Sequence, residues 1–244
     1  MGSQDCATPS GKLQHKGSIS GFYNSNSKSK TRSKISSKPK KLAGTRYNLD
    51  ICHFNCRGLA NEPRIYELEQ ALSKIKFDIV GLSEVRKLGE GLYRRRNGNY
   101  FYYYGKTKGY RGVGFYINKE LMRKISLIRA YSDRIRILKI QVEKNLKIAV
   151  FQIYAPTSVA EEREHKEFYQ QLQEILQKEK EYYNIVLGDW NAKIGINSYP
   201  SGNIGPYGSG VVNKSGEKLI KFTISNNLKI AASFFKKRKN KRWT

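Results

Sequence analysis

Acidic residues are scarce in this chain: 20 Asp and Glu stand against 46 Lys and Arg in 244 residues, a formal net charge of +26. Such an excess points to a polyanionic partner, and nucleic acid fits it better than a small acidic metabolite. Cysteine is sparse too. The three present are an odd number without paired spacing, and Cys52 and Cys56 stand four apart in an apparent strand, which is no zinc pattern. Reduced thiols and an intracellular location are therefore expected. No apolar run reaches the length of a membrane span, and the N-terminus lacks the apolar stretch of a signal peptide, so no membrane partner is expected. Gly2 is followed by Cys6 where a myristoylation signal has Ser or Thr. Neither an internal repeat nor a Gly-Lys-Ser phosphate loop is found, and no small-molecule cofactor is expected.

What is present divides the chain in three. Hydrophobic residues make up 39% and aromatics 12%, enough for a folded core. Residues 1–46 carry ten basic residues and one acid with few large apolar groups, which predicts a disordered basic arm. Its Lys38-Pro39-Lys40-Lys41 run suits nuclear import or phosphate contacts, or is a plain solvated charge run, and a nuclear protein is the expectation. Residues 236–244 add a basic tail of +6, which leaves +11 on a folded domain expected over 47–235.

Within that domain the apolar spacing alternates between two periods. A short strand ends at Asn55-Cys56-Arg57-Gly58. A helix should follow, with Asn61 as N-cap, Pro63 in the first turn and Ile65, Leu68, Leu72 and Ile75 at helical spacing. Asp78 to Glu84 reads as a buried strand. Segments 99–104, 112–117, 135–142 and 146–154 are rich in β-branched and aromatic residues, and Glu143-Lys144-Asn145 suits a hairpin turn, so an antiparallel sheet is expected here. A second helix is expected over 160–180 on Phe168, Leu172, Ile175 and Leu176. A strand at 184–187, a long glycine-rich loop at 195–216, a helix at 217–226 and a strand at 228–231 complete the domain.

Three strand ends deliver polar groups: FNCRG at 54–58, LSEVR at 82–86 and LGDWN at 187–191. Together with Ile153-Tyr154-Ala155-Pro156 they resemble, in order, the motif set of the exonuclease-endonuclease-phosphatase superfamily. GDWNAKIG, GVGFYIN and the final KKRKNKRWT are similar to the endonuclease domains of RTE and BovB non-LTR retrotransposons and of host proteins named after craniofacial development. The resemblance implies an α/β sandwich of two mixed β-sheets packed face to face with flanking helices. It also implies a magnesium-dependent DNA endonuclease, with manganese as the alternative ion.

Phosphodiester hydrolysis needs charge neutralisation, an oriented water and donors for the transition-state oxygens. Glu84, closing a buried strand, suits the main metal ligand, and the resemblance adds Asn55 as a ligand or as a group orienting the metal shell. Asp189 suits activation of the water, Asn191 a hydrogen bond to phosphate and Tyr154 a phenolic donor. Plainer readings stand beside these. Asp189 and Asn191 could form an Asx turn, Glu84 could pair with Arg86 or Lys87 at the surface, Asn55 could cap the turn at Gly58, and Tyr154 could be a wall of the sheet. Arg94 to Arg96 and Arg111 could clamp phosphates or be solvated. The tyrosines at 100–104 could stack bases or pack in a strand.

The family closes with a Ser-Asp-His type motif after an Asp-bearing strand, and this sequence shows neither. The expectation is a sandwich lacking its C-terminal strands, with a bare sheet edge and weak or no nicking. A non-catalytic nucleic-acid-binding relic, or a phosphatase or RNA nuclease of the same fold, is the alternative. DNA, bound through its phosphates, is the expected partner.

Overall fold

The computed structural model describes residues 21–25, 48–196 and 202–236, and the Lys38 to Lys41 run and most of the tail lie outside them. Ten strands occur among the described residues: β1 (Gly21–Ser25), β2 (Ile51–Asn55), β3 (Ile79–Ser83), β4 (Gly89–Arg94), β5 (Tyr100–Gly105), β6 (Val113–Ile117), β7 (Ile125–Ala130), β8 (Ile135–Glu143), β9 (Leu146–Tyr154) and β10 (Tyr183–Asp189). Three helices join them, α1 (Glu62–Leu72), α2 (Glu162–Lys178) and α3 (Lys214–Ser225). The first sheet has the order β2-β3-β6-β5-β4 and the second β1-β10-β9-β8-β7. Both are mixed. The β2–β3 and β9–β10 pairs are parallel, each bridged by a helix, and the rest are antiparallel.

The two sheets stack through Ile79, Tyr102, Phe115, Ile117, Leu138, Ile140, Val150 and Leu187. Their outer faces carry the helices. Ile65, Leu68 and Leu72 of α1 pack on the first sheet, while Phe168 and Leu172 of α2 and Leu219 and Phe222 of α3 pack on the second. Each such buried side chain stabilises the fold by about 1.5–3 kcal/mol. The expected α/β sandwich is the observed one.

Local chemistry sets several boundaries. Asn61 caps α1 by accepting from Arg64 N at 3.2 Å, with Pro63 in the first turn. The helix ends at Leu72, so Ile75 stands outside it and half exposed, contrary to its helical spacing. Helix α3 starts three residues before the expected Glu217, because Asn213 accepts from Gly216 N at 2.8 Å. Gly216 reads as loop in the sequence, yet a Cβ there would lie 1.8 Å from Lys193 O, and close approach of this helix to the preceding loop requires the glycine.

Four expectations are corrected. Strands β4 and β7 were not expected, since glycines interrupt the first and the second is short and half buried. The strand expected at 228–231 is reduced to one bridge between Ile230 and Ile204, followed by a 3-10 turn at Ala231–Phe234. Within the arm expected to be disordered, Gly21–Ser25 runs antiparallel along β10, from Gly21 opposite Leu187 to Ser25 opposite Tyr183. Among the described residues the free edge of β10 is thus paired and not bare, which satisfies backbone groups that would otherwise stand open.

Candidate functional site

The ends of four strands from both sheets meet at one rim of the sandwich. Asn55 closes β2, Glu84 follows β3, Tyr154 closes β9 and Asp189 closes β10, and the β9–β10 register sets Asp189 opposite Tyr154. Gly188 makes that register possible. Its φ is +146°, and a Cβ there would lie 2.0 Å from Ile153 O, so only a glycine lets β10 lie this close to β9. Trp190 then turns inward, 6.5 Å from the Tyr169 ring and 6.4 Å from Phe222, and anchors the loop that carries Asn191.

Asn55 is the centre of the arrangement. Its Nδ2 donates to Glu84 Oε1 at 2.8 Å and to Asp189 Oδ2 at 2.9 Å, so one amide group bridges both carboxylates. Its Oδ1 accepts from Arg57 N at 3.1 Å, which is the turn-capping role as well. Tyr154 reaches Glu84 Oε1 at 3.5 Å. Burial, and then the nearby Glu84 and Asp189 charges, raise its pKa and keep the phenol a donor. The Asx turn also forms, with Asn191 N donating to Asp189 Oδ1 at 3.0 Å, while Asn191 Nδ2 donates to Ala155 O at 2.9 Å. Glu84, Arg86 and Asn191 all have positive φ, at +53°, +56° and +47°. Such backbone strain in non-glycine residues clusters at functional sites.

Beneath the rim a buried polar layer joins the sheets. Ser83 Oγ donates to Ile153 O at 3.2 Å and accepts from Gln152 Nε2 at 3.0 Å, which leaves His53 Nε2, 2.9 Å away, as a second donor to it. Burial pushes the His53 pKa down to about 4, so the ring is neutral. Above Gly81 there is no room for a side chain, since a Cβ would lie 1.9 Å from Gln152 Oε1. These contacts fix the heights of β2, β3 and β9, and hence of Asn55, Glu84 and Tyr154.

Among the described residues no group of three or more His, Cys, Asp and Glu is placed to hold a metal ion. A cation here would rest on the Glu84 carboxylate, with Asn55 beside it as a ligand or as a group orienting its shell and with water completing that shell. That donor set fits a hard ion such as magnesium, which is typically held by one or two carboxylates and keeps several waters. It does not fit zinc, which takes four tetrahedral ligands in its structural sites.

Residues 52–211 match the Endonuclease/Exonuclease/phosphatase family. The chain belongs to that family. It is 33% identical over 211 residues to craniofacial development protein 2 of Tragulus javanicus and 32% identical over 212 residues to that of Bos taurus. These matches cover 86% of this chain but 36% and 35% of the relatives, so the chain spans about a third of their length. Among solved structures it is similar to the 3'-5' exonuclease NExo from Neisseria meningitidis, with 17% identity, a TM-score of 0.48 and coverage of 60% of this chain and 59% of the other. It is also similar to CdtB, the biologically active subunit of cytolethal distending toxin, with 14% identity, a TM-score of 0.42 and coverage of 60% and 69%.

In this family member the five residues singled out by motif lie together, whereas other candidates are engaged elsewhere. Arg95 pairs with Glu62 and Glu69, and Arg111 pairs with Glu164 and Asp133. Phe101, Tyr102 and Tyr103 are buried in β5, so this stretch is a packed strand. Both described histidines are buried, His53 on Ser83 and His165 beside Thr157 O. Of two arginines at the rim, the sequence offered Arg86 as a partner of Glu84 and gave no sign of Arg134. Arg86 binds Glu84 Oε2, and Arg134 donates to Tyr154 O at 2.9 Å with its guanidinium 5.4 Å from the Tyr154 ring. Its place in LSEVR was the signal for the first. Nothing local marks the second, which lies at the start of β8.

Proposed function

We propose that the chain is a magnesium-dependent DNA endonuclease domain of the retrotransposon type. The observation that carries the reading is the single Asn55 amide holding Glu84 and Asp189 together at the strand ends, in a family of nucleases and phosphatases and on a chain of net charge +26. DNA is the favoured polyanion because the charge is spread over arm, domain and tail, as phosphate contacts along a duplex require.

Bound at Glu84, the cation would neutralise charge on the phosphate and on the leaving oxygen. Asp189 Oδ2 takes a proton from the attacking water, while its Oδ1 is held in place by Asn191 N. Asn191 has a second amide hydrogen beyond the one given to Ala155 O, and it can donate to a phosphate oxygen. Tyr154, kept protonated, supplies another donor to the charge that develops there. Asn55 spaces the two acids so that they do not repel one another apart.

The test is nicking of supercoiled plasmid with magnesium and with chelator. Magnesium-dependent nicks that are lost in Asp189→Asn support the reading. Plasmid binding that weakens with salt but never yields nicks leaves a nucleic-acid-binding relic. Release of terminal phosphate without internal nicks places the chain with phosphatases.

A further inference from the structure

Arg86 is a charge at the rim that takes no part in the proposed reaction. Arg86 lies two residues after Glu84, and its Nη2 donates to Glu84 Oε2, the carboxylate oxygen that Asn55 and Tyr154 leave open. Both residues are in the left-handed backbone region. Three backbone bonds hold them so: Gly58 N to Glu84 O at 2.8 Å, Arg86 N to Arg111 O at 2.8 Å and Gly109 N to Arg86 O at 3.1 Å. The stem of Arg86 passes over Gly58, its Cδ 3.6 Å from where a Cβ would be. Glu84 is 15% exposed and Arg86 42%, so the guanidinium covers the carboxylate from the solvent side.

We propose that Arg86 is an internal counter-ion of Glu84 that yields its place to the divalent cation and then binds a DNA phosphate, so that cation and DNA bind with positive coupling. The inference rests on the metal reading given above. A guanidinium does not deprotonate, so a cation arriving at Glu84 Oε2 meets a fixed positive charge and must displace it. Once displaced, the group sits at the mouth of the site with its planar fork free, and that fork matches a phosphate in bidentate fashion. Arg86 is thus a positioning residue: it keeps Glu84 neutralised without metal and ties the departure of its head to the arrival of substrate.

The test uses Arg86→Ala and Arg86→Gln, the second keeping much of the stem, with folding checked by circular dichroism. Magnesium affinity is read by calorimetry, and affinity for a short phosphorothioate duplex by fluorescence anisotropy with and without magnesium. Both variants should bind magnesium on the order of tenfold more tightly than the parent, within the usual range of coupling between two sites. Magnesium should tighten duplex binding in the parent and do so by a clearly smaller factor in the variants, where only the direct contact of the cation with phosphate is left. Magnesium affinity equal to the parent's in both folded variants, or a magnesium effect on duplex binding as large in them as in the parent, overturns the proposal. Glu84→Gln separates the two ideas. If it leaves magnesium binding intact, the metal reading fails and this inference with it; if it abolishes binding while the Arg86 variants match the parent, only the role of Arg86 fails.

Discussion

Asn55 Nδ2 lies 2.9 Å from Asp189 Oδ2 although the two residues are 134 apart in sequence. The same nitrogen serves Glu84, so a neutral amide screens two like charges. Replacing it with a third carboxylate reverses that relation. Asn55→Asp should lower the melting temperature in chelator, by about 2–3 kcal/mol of stability, and magnesium should recover a large part of the loss. A melting temperature that is indifferent to magnesium in this variant would show that no cation sits between these acids.

Tyr154→Phe removes one weak contact, at 3.5 Å, so stability should change by less than about 0.5 kcal/mol. Nicking should nevertheless fall by about a hundredfold if the hydroxyl meets charge that develops in the transition state. Denaturant unfolding and plasmid nicking on one preparation separate the two effects. A rate equal to the parent's would make the tyrosine a wall of the sheet and nothing more.

Gly188→Ala places a methyl group 2.0 Å from Ile153 O at a φ of +146°. The β9–β10 pair must part for it, and a loss of about 3 kcal/mol or more is expected in urea unfolding, in the class of overpacked and strained sites. A variant as stable as the parent would mean that the two strands are not in this register.

The pH dependence of stability reports on His53. Its pKa is lowered from 6.5 to about 4 by burial, so between these values the unfolded chain holds a proton that the folded chain does not. Stability should be fully present above pH 6.5 and fall as pH drops to 4, by up to about 3 kcal/mol. His165, also lowered by burial, acts in the same direction, so the difference between the parent and His53→Gln is the quantity to measure. An unchanged slope in His53→Gln would place the imidazole in contact with water.

The motifs were legible because each sits at the end of a strand whose apolar pattern is strong: DIVGLSE and NIVLGDWN announce both the element and the polar residue that follows it. Asn61 and Pro63 likewise fixed the start of α1. What escaped was non-local. Arg134 reaches Tyr154 through the β8–β9 pairing, and Gln152 meets Ser83 across two sheets, neither of which any window of sequence displays. The glycines misled in both directions. Gly216 resembled loop although it lies inside a helix, and Gly89 and Gly91 hid an edge strand. The arm's composition argued against structure, yet pairing needs only backbone groups, which composition does not report.

The pairing of Asn55 and Glu84 from one half of the chain with Tyr154, Asp189 and Asn191 from the other has a consequence for biosynthesis. While the ribosome has released only the first 130 residues, the carboxylate of Glu84 has no second acid beside it, and strands β2 to β6 expose the inner face that will later meet β8, β9 and β10. Assembly of the centre therefore waits for the last strand and has to close contacts between segments far apart in the chain, a slow class of folding step. Fragments that end within α2 would carry the basic charge of a DNA-binding protein without the paired acids, and so would hold nucleic acid without the means to cut it.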